Sequence, residues 1–210
     1  MIFGDEQILS RMKVGELVLG ASAEQINPAS INLCLGRTFL IPKFSGKCIR
    51  LGDEVDYERI ELKENAEFVL RSGQFALATT EEEVNLPNDV AAFVQGRSSI
   101  GRIGLTTQNA GFVDPGFHGH ITLELVNENP NPIILRPGYP VVQLVFFKTY
   151  VVNKPYCGKY NGQVEATGSR MHMDNQCVGK TDDEKRELWN KAMSGDMLAA
   201  REYLINESSR

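Results

Sequence analysis

The sequence predicts a mainly β chain, an antiparallel barrel or jelly-roll-like sandwich with short helical segments at either end. Three observations predict it. Between about residues 30 and 150 apolar and polar residues alternate in short runs, the two-residue period of a half-buried strand. The runs recur at roughly ten-residue spacing with turn residues between them and no long amphipathic stretch. The 19 glycines and 9 prolines supply the turns that such a fold needs. With 210 residues, 42% apolar and 23% charged, the chain has the balance of one globular domain plus an appendage. At this length roughly 70% of the unfolded surface is buried on folding, so no disulfide or metal staple is required.

The elements follow in order. Residues 4–18 open on Gly4-Asp5-Glu6, an N-cap signal, with Ile8, Leu9 and Met12 at helical spacing. After Asn27-Pro28, Ile31, Leu33 and Leu35 alternate with Ser30, Asn32 and Cys34, and Gly36 is expected to end that strand in a turn. Phe68-Val69-Leu70 precedes a Ser72-Gly73 turn, after which Phe75, Leu77 and Thr79 alternate. Leu86-Pro87-Asn88-Asp89 breaks the chain before Ala91–Val94. Ile121, Leu123 and Leu125 alternate with Thr122, Glu124 and Val126, and Asn129-Pro130-Asn131-Pro132 breaks again. Ile133-Ile134-Leu135 ends at Arg136-Pro137-Gly138, and Val141–Phe147 is the last strand. Residues 154–180 are glycine-rich and read as an extended loop. Thr181-Asp182-Asp183-Glu184 then has capping-box spacing, and Leu188, Trp189, Ala192 and Met193, followed by Met197, Leu198, Leu204 and Ile205, predict a helical pair over 182–206.

Several function classes are set aside. A net charge of −5 argues against nucleic acid or an anionic membrane as the main partner. No apolar run is long enough to span a bilayer. Acids stand at Asp5 and Glu6 where a secretory signal needs bases, so a cytoplasmic setting is expected. Cys34, Cys48, Cys157 and Cys177 show no metal-binding spacing and read as reduced thiols. The phosphate-loop, dinucleotide, GxSxG and HExxH motifs are absent, as are the H-x-E and P-C-x-x-C of zinc nucleobase deaminases. His118 and His120 share a strand face but have no third ligand nearby, and read as surface residues.

Three polar clusters remain. Gly96-Arg97-Ser98-Ser99-Ile100-Gly101-Arg102 sets two guanidiniums, two hydroxyls and flexible glycines within seven residues. That suits phosphate oxygens, and equally a solvated turn. Asn109-Ala110-Gly111-Phe112-Val113-Asp114-Pro115-Gly116-Phe117 predicts a hairpin tip carrying one acid. Glu124 lies on the polar face of an apolar strand: it faces solvent, or else sits in a partly dry pocket where desolvation fits it for acid–base work. Gln143, inside Val141–Phe146, is an amide that needs a partner, internal or bound.

Taken in order, Pro28–Gly36, Gly96–Arg102, Asn109–Phe117, Ile121–Glu124 and Gly158-Lys159-Tyr160-Asn161-Gly162-Gln163 resemble the dCTP deaminase branch of the dUTPase superfamily, closest to its bifunctional, dUMP-forming members. The resemblance covers roughly residues 1–170. It implies a dUTPase-like distorted β-barrel over residues 1–153 and a nucleotide-closing tail from 154, taken to 180; the helical extension over 181–210, read from its own spacing, has an unknown role. It implies a homotrimer with active sites between subunits and a magnesium–triphosphate substrate, dCTP or dUTP. It also implies deamination without zinc, and it makes dTTP a candidate feedback inhibitor. Position by position, it implies that Arg97, Ser98, Ser99, Ile100, Gly101 and Arg102 bind the triphosphate, with Ser98, Arg102 and Ala110 placing the attacking water. Asp114 would hold the sugar 3′-hydroxyl, Glu124 would be the general base, and Thr122 and Leu123 would contact base or sugar by backbone. Gln143, Tyr156, Lys159 and Gln163 would be further nucleotide contacts. Three features depart from the family pattern: Gly104–Ala110 looks one residue shorter than in deaminase-only members and lacks their customary histidine, Glu165 stands where the tail motif usually has glycine, and residues 171–210 have no counterpart. The competing readings are a deaminase that releases dUTP, a dUTPase only, and a non-catalytic nucleotide sensor.

Overall fold

The computed structural model describes residues 1–108 and 111–173. They fall into two units, a larger one of Met1–Ser45 with Asp56–Gly168 and a smaller one of Gly46–Val55 with the chain from Ser169. Ala110 and Cys177 lie outside the described residues, as does the helical pair expected over 182–206.

The larger unit is built on twelve strands: β1 (Leu17–Leu19), β2 (Ile26–Asn27), β3 (Ser30–Pro42), β4 (Tyr57–Glu61), β5 (Phe68–Leu70), β6 (Phe75–Asn85), β7 (Val90–Gly96), β8 (Leu105–Gln108), β9 (Phe112–Val113), β10 (His118–Asn127), β11 (Ile133–Leu135) and β12 (Pro140–Lys148). Two short helices accompany them, α1 (Asp5–Met12) and α2 (Ser98–Gly101). One antiparallel sheet runs β8-β10-β6-β3-β12-β7-β9, with β1, β2 and β4 paired at its side, while β11 and β5 form a separate ribbon. The sheet curls: a Cβ built on Gly96 at the end of β7 would stand 2.6 Å from the Thr107 hydroxyl of β8, so distant members of the path come together. The mainly β, barrel-like architecture expected from the alternating runs is present, and so is the N-terminal helix. That helix starts at an uncapped Gly4 whose N–H is accepted by Gln7 Oε1 at 3.0 Å. It is pinned by Arg11, which reaches Glu16 at 2.6 Å and Asp89 at 3.0 Å. Lys148 joins the same Asp89 carboxylate, and these cations hold its pKa below the usual aspartate range, the Lys148 hydrogen bond contributing most.

The alternation of β10 is carried through: Ile121, Leu123 and Leu125 are buried, and Thr122, Glu124 and Val126 are half-buried on the opposite face. With Leu33, Leu35 and Phe39 of β3, Ala76 and Ala78 of β6 and Leu144 and Phe146 of β12 they make one continuous core. Each fully buried large side chain contributes about 1.5–3 kcal/mol. Phe39 stacks on Phe68 at 4.3 Å between ring centres, fastening the small ribbon to the sheet.

The turn expected at Gly36 is corrected. β3 runs through it for 13 residues. Gly36 is required there by close approach, since a Cβ would lie 2.7 Å from Thr79 Cγ2 and 3.1 Å from Thr79 O, and the β3–β6 register shifts between Leu35 and Phe39. The break after β10 is as expected, and its chemistry is an asparagine network. Buried Asn127 donates to Leu70 O and Asn131 O at 2.9 Å each and accepts from Asn129 N at 2.8 Å.

In the smaller unit the described residues hold a loop closed by Arg50 N donating to Asp53 Oδ2 at 2.8 Å, and His172 Nε2 lies 3.3 Å from Glu54 Oε1. Among the described residues no helix is long and apolar enough to cross a membrane.

Candidate active site

Strand β10 presents Glu124 in the middle of its half-buried face, opposite Leu77 of β6 on one side and Gln108 of β8 on the other. Its carboxyl has no hydrogen-bond or ion-pair partner among the described residues. Burial alone, uncompensated by any cation, pushes its pKa above the ordinary glutamate value. An acid that is partly dry, without a described partner and raised is suited to take and return protons.

The edge of β10 beside Glu124 is covered in two pieces. β8 pairs with Glu124–Asn127. At the other end, residues 161–163 of the tail bind His118 and His120: Gly162 N donates to His118 O at 2.8 Å and His120 N donates to Gln163 O at 2.8 Å. Between these pieces Ile121–Leu123 have no described strand partner on that side. Thr122 and Leu123, the two residues before Glu124, belong to that stretch of β10.

The phosphate candidates lie on the turn between β7 and β8. Ile100 is buried and anchors α2 to the core, leaving Ser98, Ser99, Gly101 and Arg102 exposed. The side chains of Ser98, Ser99 and Arg102 have no hydrogen-bond partner among the described residues. Arg97 differs: its Nη1 donates to Pro140 O at 2.8 Å, so part of its guanidinium fastens this turn to β12. No hydrogen bond or ion pair joins Glu124 to any residue of the 97–102 segment.

Asp114 sits exposed in the turn from β9 to β10, closed by Phe117 N donating to Asp114 O at 3.1 Å. Its side chain is likewise unpartnered among the described residues. Gly116 in that turn takes φ +88°, and a Cβ there would stand 2.5 Å from Pro155 Cβ, so the tail packs directly on the Asp114 hairpin. Gln143 is half-buried on β12 in register with Asn32 of β3 and Gln95 of β7, a row of three amide side chains across neighbouring strands.

The tail residues occupy defined places. Tyr156 N donates to Pro115 O at 2.8 Å and its ring lies 6.0 Å from that of Phe117. Lys159 Nζ stands 5.4 Å above the Tyr160 ring. Gln163 is committed on one side, its Nε2 donating to His120 O at 2.6 Å, while its Oε1 is buried without a partner. His118 is exposed beside Glu83 at 3.6 Å, and His120 Nδ1 lies 3.1 Å from Thr80 O.

Two groups near these residues escaped the sequence reading. Glu82 is buried, its carboxylate accepting from Gln25 Nε2 at 2.6 Å and from Cys34 N at 2.8 Å. Within Glu81-Glu82-Glu83 the strand period singles it out, because Ala76, Ala78, Thr80, Glu82 and Val84 share one buried phase. Burial, aided by Glu82, pushes the Cys34 thiol up to about 12, so it is inert as a nucleophile. The second group is Thr167, whose N–H donates to Thr122 Oγ1 at 3.1 Å. No motif signalled it.

Comparison with known proteins places this geometry. Residues 2–149 match the family model described as dCTP deaminase-like. A protein of Sulfurihydrogenibium sp. (strain YO3AOP1) named "dCTP deaminase, dUMP-forming" is 43% identical over 178 residues, 83% of this chain and 99% of that protein. One of Persephonella marina with the same name is 40% identical over the same shares. Among solved structures, the 2′-deoxycytidine 5′-triphosphate deaminase of Agrobacterium tumefaciens is 23% identical with a TM-score of 0.56, covering 69% of this chain and 47% of that one, a likeness of fold. The match over most of the chain and relatives at 40% identity or more show that the chain belongs to the dCTP deaminase-like family.

Proposed function

We propose that the protein is a hydrolase that deaminates dCTP at C4 without zinc and carries the triphosphate on to dUMP and pyrophosphate. The observation that carries this reading is Glu124: half-buried on β10, without a hydrogen-bond or ion-pair partner among the described residues, and raised in pKa by burial. Family membership and relatives named as dUMP-forming supply the chemistry it would serve.

In this reading Glu124 takes a proton from a water held by Ser98, Arg102 and the Ala110 carbonyl. The hydroxide adds to C4 of cytosine. Glu124 then returns that proton to ring N3, takes the proton of the new C4 hydroxyl and passes it to the amino group, which leaves as ammonia as the C4–N bond breaks and the C4 carbonyl forms. A positioned acid–base group supplies roughly 10²–10⁴-fold. Arg97, Ser99, Ile100 and Gly101 bind the triphosphate with Lys159, while Gln143, Tyr156 and Gln163 complete the nucleotide contacts. Asp114 holds the 3′-hydroxyl and helps align the second water, which attacks the α-phosphorus. Magnesium enters with the triphosphate as part of the substrate; among the described residues no three His, Cys, Asp or Glu side chains converge as a cage of their own. A homotrimer fits two features of the single chain: Glu124 is not bonded to the 97–102 turn, and Phe93, Phe112 and Phe147 form a partly exposed aromatic group, with ring centres 5.2 and 5.3 Å apart. A second copy would cover that face and supply what the isolated chain does not bring to Glu124. The cytoplasm is the expected setting, and dTTP is the nucleotide to test as a feedback inhibitor.

The test is Glu124→Gln. Ammonia release from dCTP is expected to fall by about 10²-fold or more while dCTP binding persists. Ammonia release near the wild-type rate would remove Glu124 from the mechanism.

A further inference from the structure

The tail is seated on the protein, and its seating has two parts of different character. Up to Gln163 it is held mainly by backbone hydrogen bonds to Pro115, His118 and His120. A Cβ on Gly119 would stand 2.7 Å from Gln163 O, so the contact is close enough to require glycine. Beyond Gln163 the anchors change. Ala166 is buried against Leu40, Leu77 and Tyr57. Gly168 lies on the Tyr57 ring, where a Cβ would come within 2.5 Å of Cε2. A charged anchor in this second part is Glu165, whose Oε2 accepts from Arg59 Nη2 at 2.5 Å and from Arg59 Nε at 3.0 Å. Arg59 projects from β4, and Glu61 on the same strand accepts from its remaining nitrogen, Nη1, at 3.0 Å, which holds the guanidinium in place. Thr167, two residues beyond Glu165, donates its N–H to Thr122 Oγ1, and Thr122 is two residues from Glu124 on the same face.

We propose that Arg59 and Glu165 form an electrostatic latch that holds the second half of the tail down before substrate arrives, and that they are positioning residues acting on the site through the Thr167–Thr122 hydrogen bond. The role in turnover rests on the dCTP-hydrolase reading above; the latch itself does not. A tail ordered in advance spares the nucleotide the entropy of ordering it, so the latch acts on substrate binding rather than on the chemical step. Both side chains are partly solvent-exposed, 46% and 45%, so the effect is modest and salt-sensitive.

The experiment is hydrogen exchange of the nucleotide-free full chain, followed by mass spectrometry on peptides covering Gln163–Gly168. It compares wild type with Glu165→Gln, Arg59→Met and the double variant, with Arg59→Lys as the charge-preserving rescue. Each single variant is expected to speed exchange by about two- to fivefold. The double variant is expected to be no faster than the faster single, Arg59→Lys to restore most of the protection, and 1 M salt to bring wild type toward the variants. KM for dCTP should rise by a similar factor with kcat within about twofold. Exchange unchanged in the single variants, or effects that add in the double, overturns the latch. Faster exchange in a protein whose wild type does not turn over dCTP keeps the latch and discards the functional reading.

Discussion

Glu124 is where local physics and chemistry pull in opposite directions. A carboxyl that burial raises above its ordinary value favours the neutral form in the folded state. In the unfolded chain it ionises at the ordinary value, so as pH rises the unfolded state loses its proton first and is stabilised. Glu124 therefore costs stability at neutral pH, and that cost disappears below the ordinary glutamate pKa, where both states are protonated. Glu124→Gln should be more stable than wild type toward urea at pH 7, and the two should converge near pH 4 and below. The acid limb of the kcat/KM profile should lie above the normal carboxylate range and belong to this residue. The alternation of Ile121–Val126 was enough to put Glu124 on the half-buried face; what it did not reveal is that, among the described residues, no cation or donor meets the carboxyl there. Glu82 shows the converse. Three consecutive acids read as solvated charge, yet the strand period turns the middle one inward, where Gln25 and the Cys34 N–H satisfy it. Partners as distant in sequence as Gln25 leave no mark on the local pattern.

Among the elements, β3 and the tail departed most from a local reading. Gly36 between apolar runs is the usual signature of a turn, but here two strands cross so closely that only hydrogen fits. Gly36→Ala should destabilise the protein by about 2–3 kcal/mol, the range of overpacked cores, measured by urea denaturation. A value within a few tenths of zero would mean that β6 moves aside freely. The tail's glycines were legible as an extended loop, and its Tyr156, Lys159 and Gln163 as expected nucleotide contacts. Its course along β10 was not, because one backbone pairing at Gly119–Gln163 and one side-chain bond at Thr122 carry no sequence periodicity. Gly119→Ala joins a φ of +128° to a 2.7 Å clash with Gln163 O. It should free the tail, raise KM for dCTP about tenfold or more, and leave the far-ultraviolet circular dichroism of the sheet in place. An unchanged KM would show that the seated tail has no part in binding.

For the whole molecule, the β-rich class was readable because strand alternation and turn spacing are short-range signals. The order β8-β10-β6-β3-β12-β7-β9 was not, since each neighbour in it is chosen by long-range burial. The site followed the same division. Its candidate motifs are local; in the reading advanced above, their assembly depends on the curl of the sheet, the seated tail and a second copy of the chain. That reading makes one barrel carry out two hydrolyses on one nucleotide, and the balance of products tests it most directly. Wild-type protein is incubated with dCTP and magnesium, and ammonia, dUTP, dUMP and pyrophosphate are quantified over time. Equal amounts of ammonia, dUMP and pyrophosphate, with no build-up of dUTP, are predicted. Ammonia matched mole for mole by dUTP, with no pyrophosphate, would contradict the account.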